Sequence, residues 1–202
     1  MRKATQPGFT LIELMFVIAI AGILFAIAIP NMGTFTKNNR LTSAANDLLR
    51  GIELARTEAI KRQVGLVTLC GTASISGTDN SLTCAPSGTV KYWFVFADVN
   101  GDGAHATDGT EAVLSRGETN STVTVRNDNK AVICFSSTGF ASVACGGNSP
   151  VRNVVWCDSR YTTALAATAA RAMILSKTGR ARVSNVASDI TTSLAATGGS
   201  CP

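Results

Sequence analysis

Histidine is almost missing from this chain: among 202 residues there is one, His105. The six cysteines contain no C-x-x-C pair and no cluster of histidines accompanies them, so nothing has the ligand spacing of a zinc or iron–sulfur site. Also lacking are a G-x-S-x-G nucleophile turn, a glycine-rich phosphate loop and a pair of carboxylates nominated by spacing. The sequence therefore offers no catalytic apparatus and calls for no cofactor. Charge too is scarce. Charged residues make up 15% of the chain and hydrophobic ones 46%, which argues against a disordered chain and leaves enough apolar side chains for one packed domain plus an appendage. No enzyme is expected here; the function should lie in assembly and binding.

What charge there is has a sign and a place. The formal net charge is +5, which suits an acidic partner such as nucleic acid or an anionic membrane surface. From Lys37 to Arg62 there are six basic and three acidic residues, and from Val64 to Ser149 four basic and seven acidic. From Pro150 to Pro202 six bases (Arg152, Arg160, Arg171, Lys177, Arg180, Arg182) face only two acids, Asp158 and Asp189. The positive charge thus gathers toward the C-terminal end.

The even number of cysteines, without a metal pattern, points to disulfides and an oxidising compartment. Fifteen connectivities exist, and the sequence-local one is expected: Cys70 with Cys84, Cys134 with Cys145, Cys157 with Cys201. The last would tie the tail "ATGGSCP" back to the domain.

Export is explained by the N-terminus. Phe9 to Ile29 is a nearly unbroken apolar run of 21 residues, enough to span roughly 30 Å of hydrocarbon as a helix, with Arg2 and Lys3 marking the cytoplasmic side. An ordinary secretory signal is the competing reading, since Ala26-Ile27-Ala28 resembles a small-residue cleavage site. Glu13 argues against it. A carboxylate inside such a run costs about 2.5–3.5 kcal/mol on insertion scales, and so calls for a partner. A free α-amino group on Phe9, made by cutting after Gly8, would be one.

The segment "PGFTLIELM" resembles the type III signal of type IV pilins and pseudopilins. The resemblance implies cleavage between Gly8 and Phe9 by a prepilin peptidase, N-methylation of Phe9, and storage as a single-pass protein of a Gram-negative inner membrane with a periplasmic domain. It further implies extraction into a pilus with other pilins, where Glu13 would neutralise the Phe9 amine of a neighbouring subunit.

After Pro30, which resembles the helix-kinking proline of that family, Leu41, Ala45, Leu48, Ile52, Ala55 and Ala59 recur at helical spacing. The remainder is β in character: "VGLVTLC", "VKYWFVFADV", "EAVLSR", "STVTVRN", "KAVICFSS", "FASVAC", "VRNVVWC", "RAMILSK" and "RARVSNV" are short Val-, Ile- and aromatic-rich segments between turn residues. "YTTALAATAA" fits either a loop or a short helical turn. The expected organisation is a leader over 1–8 and a helix over 9–63, its residues 9–29 membrane-spanning and 30–63 amphipathic. A disulfide-containing β-rich domain follows over 64–202. The fold class is α+β, the type IV pilin fold, with the C-terminal half of a long N-terminal helix packed on an antiparallel sheet.

One loop starts like a calcium-binding EF-hand: Asp98, Asn100, Asp102 and Gly103 stand in the expected places. Gly109 occupies the position of the bidentate glutamate, however, and Glu111 comes two residues late, so a turn is expected instead, with His105 solvated in it.

"WFVFADVNGDG", "AVLSR", "VVWCDSR" and "MILSKTGRARV" resemble the FimT/FimU and GspH group of minor pilins and pseudopilins. Within that group "GRAR" resembles the G-R-x-R element of the FimT branch, associated with DNA capture in natural transformation. The resemblance implies contact of Gly179, Arg180 and Arg182 with double-stranded DNA, with Lys177, Arg171 and Arg160 as neighbours by charge alone. In an extended strand Arg180 and Arg182 would project from one face about 6–7 Å apart, able to meet successive phosphates. No aromatic is interleaved for base stacking. The bland alternative is a solvated edge strand blunted by charge, in a structural minor pilin or type II secretion pseudopilin that primes or caps a filament and touches only protein.

Overall fold

The computed structural model describes residues 8–63, 65–85, 91–119, 123–127, 132–141, 152–198 and 201. It divides into two units, residues 1–37 and 38–202, and one long helix, α1 (Leu11–Arg62), contributes to both.

In the first unit α1 begins two residues after Phe9. The Thr10 hydroxyl accepts a hydrogen bond from the Glu13 backbone N–H at 3.3 Å, and the T-x-x-E spacing is that of a capping box, which satisfies one of the orphan donors at a helix start. The segment Leu11–Ile29 is long and apolar enough to cross a membrane and is wholly unburied.

In the second unit α1 presents the stripe foreseen from its periodicity. Leu41, Ala45, Leu48, Ile52, Ala55 and Ala59 are all buried, with Ala44. Small residues dominate the row, which lets sheets approach the helix closely. On the solvent side Glu58 pairs with Lys61 at 3.3 Å and Arg62 at 3.0 Å, and those bonds, Arg62 first, hold its carboxyl below the usual range. Gln63, at φ +59°, ends the helix in a left-handed conformation.

Two antiparallel sheets pack on that stripe. The first comprises β1 (Leu66–Thr72), β2 (Tyr92–Asp98), β3 (Val113–Glu118) and β5 (Val132–Phe135), in the order β3-β2-β1-β5. Cys70 lies opposite Phe94, and a register shift falls at Val95/Phe96 against β3. Strands β1 and β2 are buried along almost their whole length, because each sheet face has a cover: Val67, Leu69, Trp93 and Val95 meet α1, while Cys70, Phe94 and Phe96 meet Leu82. This explains why these strands appear as continuous apolar runs rather than an alternation. The second sheet comprises β4 (Thr124–Asn127), β6 (Asn153–Cys157), β7 (Ala170–Leu175) and β8 (Ala181–Ser184), in the order β4-β6-β7-β8. Val154, Trp156, Met173 and Leu175 join the core on α1. The architecture is α+β, as expected.

A helix that the sequence did not announce, α3 (Ala187–Ala196), covers the outer face of the second sheet: Ile190 and Leu194 pack on Val155, Cys157, Ala170 and Ala172. "YTTALAATAA" resolves into a 3-10 turn (Thr163–Leu165) capped by Thr162, followed by one helical turn, α2 (Ala166–Ala169). "FASVAC" gives only a bridge between Phe135 and Ala141; its later residues lie outside the described ones. Cys70–Cys84 and Cys157–Cys201 form as anticipated, whereas the pairing of Cys134 with Cys145 involves a residue outside the described ones.

Candidate nucleic-acid interface

The arginine motif sits on the β7–β8 hairpin, whose turn is S-K-T-G-R, residues 176–180. The Gly179 N–H donates to the Ser176 carbonyl at 3.0 Å and the Ser176 N–H to the Arg180 carbonyl at 2.9 Å. The Ser176 hydroxyl adds contacts to Thr178 at 2.8 Å and to the Arg180 N–H at 3.1 Å. Just after β5 the chain builds the same turn from S-S-T-G-F, residues 136–140. Gly139 N–H donates to the Ser136 carbonyl at 2.8 Å and Ser136 N–H to the Phe140 carbonyl at 3.1 Å, with Ser136 and Thr138 hydroxyls 2.8 Å apart. The two glycines have matching φ values, +76° at Gly139 and +77° at Gly179, a region where side chains are strained. The turns lock together: Ala141 N–H donates to the Lys177 carbonyl at 3.2 Å, and Gly179 is seated against the Gly139 carbonyl oxygen. Arg56 of α1 donates to that same oxygen at 3.2 Å. Gly179 is thus a packing residue, buried under its own hairpin.

That anchoring fixes where the cations point. Ala181 and Val183 pack against the core, so Arg180 and Arg182, alternating with them, project outward and are exposed. The cations of the C-terminal segment are not equivalent, however. Arg160, expected as a neighbour by charge, forms an ion pair with Asp158, whose Oδ2 also lies 3.0 Å from its Nε, and donates to Asn38 Oδ1 at 2.8 Å; its side chain is only 19% exposed. Arg171 gives its Nη1 to the carbonyls of Ala170 (2.7 Å) and Ala167 (3.1 Å), and burial lowers its pKa. Arg182 pairs with Asp189 at 2.8 Å, which raises its pKa. Lys177 and Arg180 alone of the group have side chains without a hydrogen bond or ion pair among the described residues. Charge counting could not see this, because pairing depends on α3 and on the chain reversal at 158–160. It also missed Arg56, whose helix position gave no hint that it reaches the turn.

The loop with the partial calcium pattern spends its carboxylates on its own backbone. Asp98 Oδ1 accepts from Gly101 N–H at 2.7 Å, and its Oδ2 from Gly103 N–H at 3.0 Å and the Thr68 hydroxyl at 2.9 Å. Glu111 accepts from Val99 N–H at 3.0 Å and Ala106 N–H at 2.9 Å. Burial nevertheless raises the pKa of Asp98. His105 corrects the expectation of a solvated side chain: it is 7% exposed, edge-on to Phe94 and Phe96, with ring nitrogens 2.8 Å from the Leu82 carbonyl oxygen and 3.1 Å from that of Glu111. It is a plug that holds the loop down over β2.

At the other end of the chain, Gly8 and Phe9 precede α1 and are exposed. A Cβ added to Gly8 would meet nothing, so the fold makes no demand for glycine there.

A family model described as "Type II transport protein GspH" matches residues 44–179, more than half of the chain, and one described as "Prokaryotic N-terminal methylation motif" matches residues 3–29. The first match stops one residue short of Arg180. Among curated relatives, a fimbrial protein of Pseudomonas aeruginosa is 54% identical over 43 residues, covering 21% of this chain and 28% of that one. Fimbrial protein EcpC of Eikenella corrodens is 52% identical over 46 residues, covering 23% and 30%. Fimbrial protein Q of Moraxella bovis is 38% identical over 82 residues, covering 34% and 52%. The chain thus spans between 28% and 52% of the length of these relatives. The crystal structure of the type IV minor pilin FimU of Pseudomonas aeruginosa aligns with a TM-score of 0.46 at 17% identity, over 76% of this chain and 94% of that one.

Proposed function

Since the chain belongs to the GspH family and is headed by the N-terminal methylation motif of pilin-like proteins, we propose that it is a minor type IV pilin that holds double-stranded DNA by its phosphates. Arg180 and Arg182 are the contacts, with Lys177 beside them. The observation that carries this reading is the turn itself: residues 176–180 are clamped to a second turn and to α1, and the clamp leaves Arg180 and Lys177 outward and, among the described residues, unpaired. Because the backbone of the hairpin is already held, meeting a polyanion orders only the side chains. With no aromatic beside them, they would read backbone charge and no sequence. Two or three contacts give weak affinity, so capture would draw on pilus retraction or on several subunits together. Before assembly the chain is a single-pass inner-membrane protein. Processing after Gly8 by a prepilin peptidase, methylation of Phe9 and pairing of Glu13 with a neighbouring amine in the filament complete the proposal.

A second reading, a purely structural minor pilin or type II secretion pseudopilin, is favoured by the pairing of Arg160 and Arg182 with Asp158 and Asp189. The two separate in one experiment: fluorescence anisotropy of a labelled 30-base-pair duplex with the full chain in non-ionic detergent, over a salt series. DNA binding predicts a log–log salt slope of about −0.9 per phosphate met, reduced in magnitude by about one in Arg180→Gln. A wild-type chain that leaves the duplex free even at low salt sinks the first reading. Loss of DNA uptake in Arg180→Gln/Arg182→Gln cells that still assemble pili sinks the second.

A further inference from the structure

The two acids of the C-terminal segment each sit on one of its arginines, and one of those arginines belongs to the motif. Asp189 lies in the first turn of α3. One of its oxygens, Oδ2, takes hydrogen bonds from Arg182 Nη1 at 2.8 Å and from the Ser184 hydroxyl at 2.6 Å. Ser184 is itself fixed, being buried at the end of β8 and accepting from the Val186 N–H at 3.2 Å. The helix that carries Asp189 is held by Ile190 and Leu194 in the core and, beyond its last turn, by the Cys157–Cys201 bridge. The carboxylate is therefore set in place, whereas the Arg182 side chain stays 60% exposed.

So exposed a pair contributes little to stability. Its consequence falls on whatever else would bind Arg182. A phosphate approaching the hairpin finds Arg180 unpaired but finds Arg182 occupied, with a second negative charge beside it that repels the incoming one. We infer that Asp189 sets the strength of polyanion binding at this hairpin by competing with phosphate for Arg182. Contact then begins at Arg180, and Arg182 joins only when a phosphate displaces the carboxylate. This rests on the reading of the hairpin as a DNA contact. The pairing with Arg182 holds the Asp189 carboxyl below the usual range, so the competitor remains charged at neutral and mildly acidic pH, and salt rather than acidity governs the exchange.

The test uses the same anisotropy assay with the full chain in detergent and four proteins: wild type, Asp189→Asn, Arg182→Gln and the double variant. Asparagine keeps an acceptor for Ser184 and removes the charge. The expected result is that Asp189→Asn binds the duplex about fivefold more tightly at low salt, near the upper end of what freeing a surface pair supplies. Its salt slope should be steeper by up to about 0.9. In the Arg182→Gln background the same change should give less than about a twofold gain, the signature of a coupled pair. If wild type binds and Asp189→Asn binds no better, the competition is overturned while the DNA reading stands. An equal gain in both backgrounds also overturns it, since the effect is then one of net charge. If none of the four proteins binds at low salt, the proposed function falls and the inference with it.

Discussion

Gly179 is buried with φ +77°, and a side chain added there would run into the backbone oxygen of Gly139 rather than into a flexible group. Neither constraint concerns DNA; both concern the seat of the hairpin. Gly179→Ala is expected to lower stability by about 2 kcal/mol or more, combining left-handed strain with overpacking against backbone that cannot give way. For a domain of this size that is a fall of roughly 5 °C in the melting temperature. Gly198, also at positive φ (+61°) but with open space where a Cβ would be, supplies the comparison: its alanine variant should lose clearly less. Equal losses would show that the contact with Gly139 is unimportant. At this scale the sequence was only partly legible. It identified Arg180 and Arg182 as outward-facing, because alternation with Ala181 and Val183 is visible in the string. It could not show that His105 is a buried plug or that Arg160 is committed, since both depend on partners distant in sequence or on a local reversal.

Among the elements, the strands and α1 were foreseeable from periodicity and composition, and α3 was not. Its buried positions are Ile190, Ser193 and Leu194, too few and too polar to make an apolar stripe, and alanine, serine, threonine and Asp189 fill the rest. Its stability must come from docking on the second sheet and from the bridge at its far end, which closes a loop of 44 residues. Cys157→Ser/Cys201→Ser is expected to cost about 4 kcal/mol on loop-entropy grounds. In hydrogen exchange the amides of α3 should lose protection before those of β6 and β7. Unchanged protection in α3 would mean that Ile190 and Leu194 suffice to hold it.

On the scale of the whole molecule, the segment Leu11–Ile29 buries nothing of its own and so has to be covered by something outside the chain, first lipid and then, as proposed, other subunits. Two positions in this region should separate those stages. With the proposed processing after Gly8, Gly8→Val should leave residues 1–8 attached, readable as intact mass, while the fold itself makes no demand for glycine there. Glu13→Val should be cleaved and retained in the membrane yet fail to enter filaments. Incorporation at the wild-type level would remove Glu13 from the assembly step.

The paired turns carry one more implication. The seven residues from Ser136 are SSTGFAS and the seven from Ser176 are SKTGRAR: the same Ser, Thr, Gly and Ala at the same places, with Lys177, Arg180 and Arg182 standing where Ser137, Phe140 and Ser142 stand in the other. The molecule thus contains its own uncharged blank of the motif. What the two copies share is scaffold, and what distinguishes them is three cations written onto one copy. Glycine in "GRAR" is thus a residue that the turn itself requires in both copies, and the gentlest way to erase the cations is to write the first turn's residues into the second.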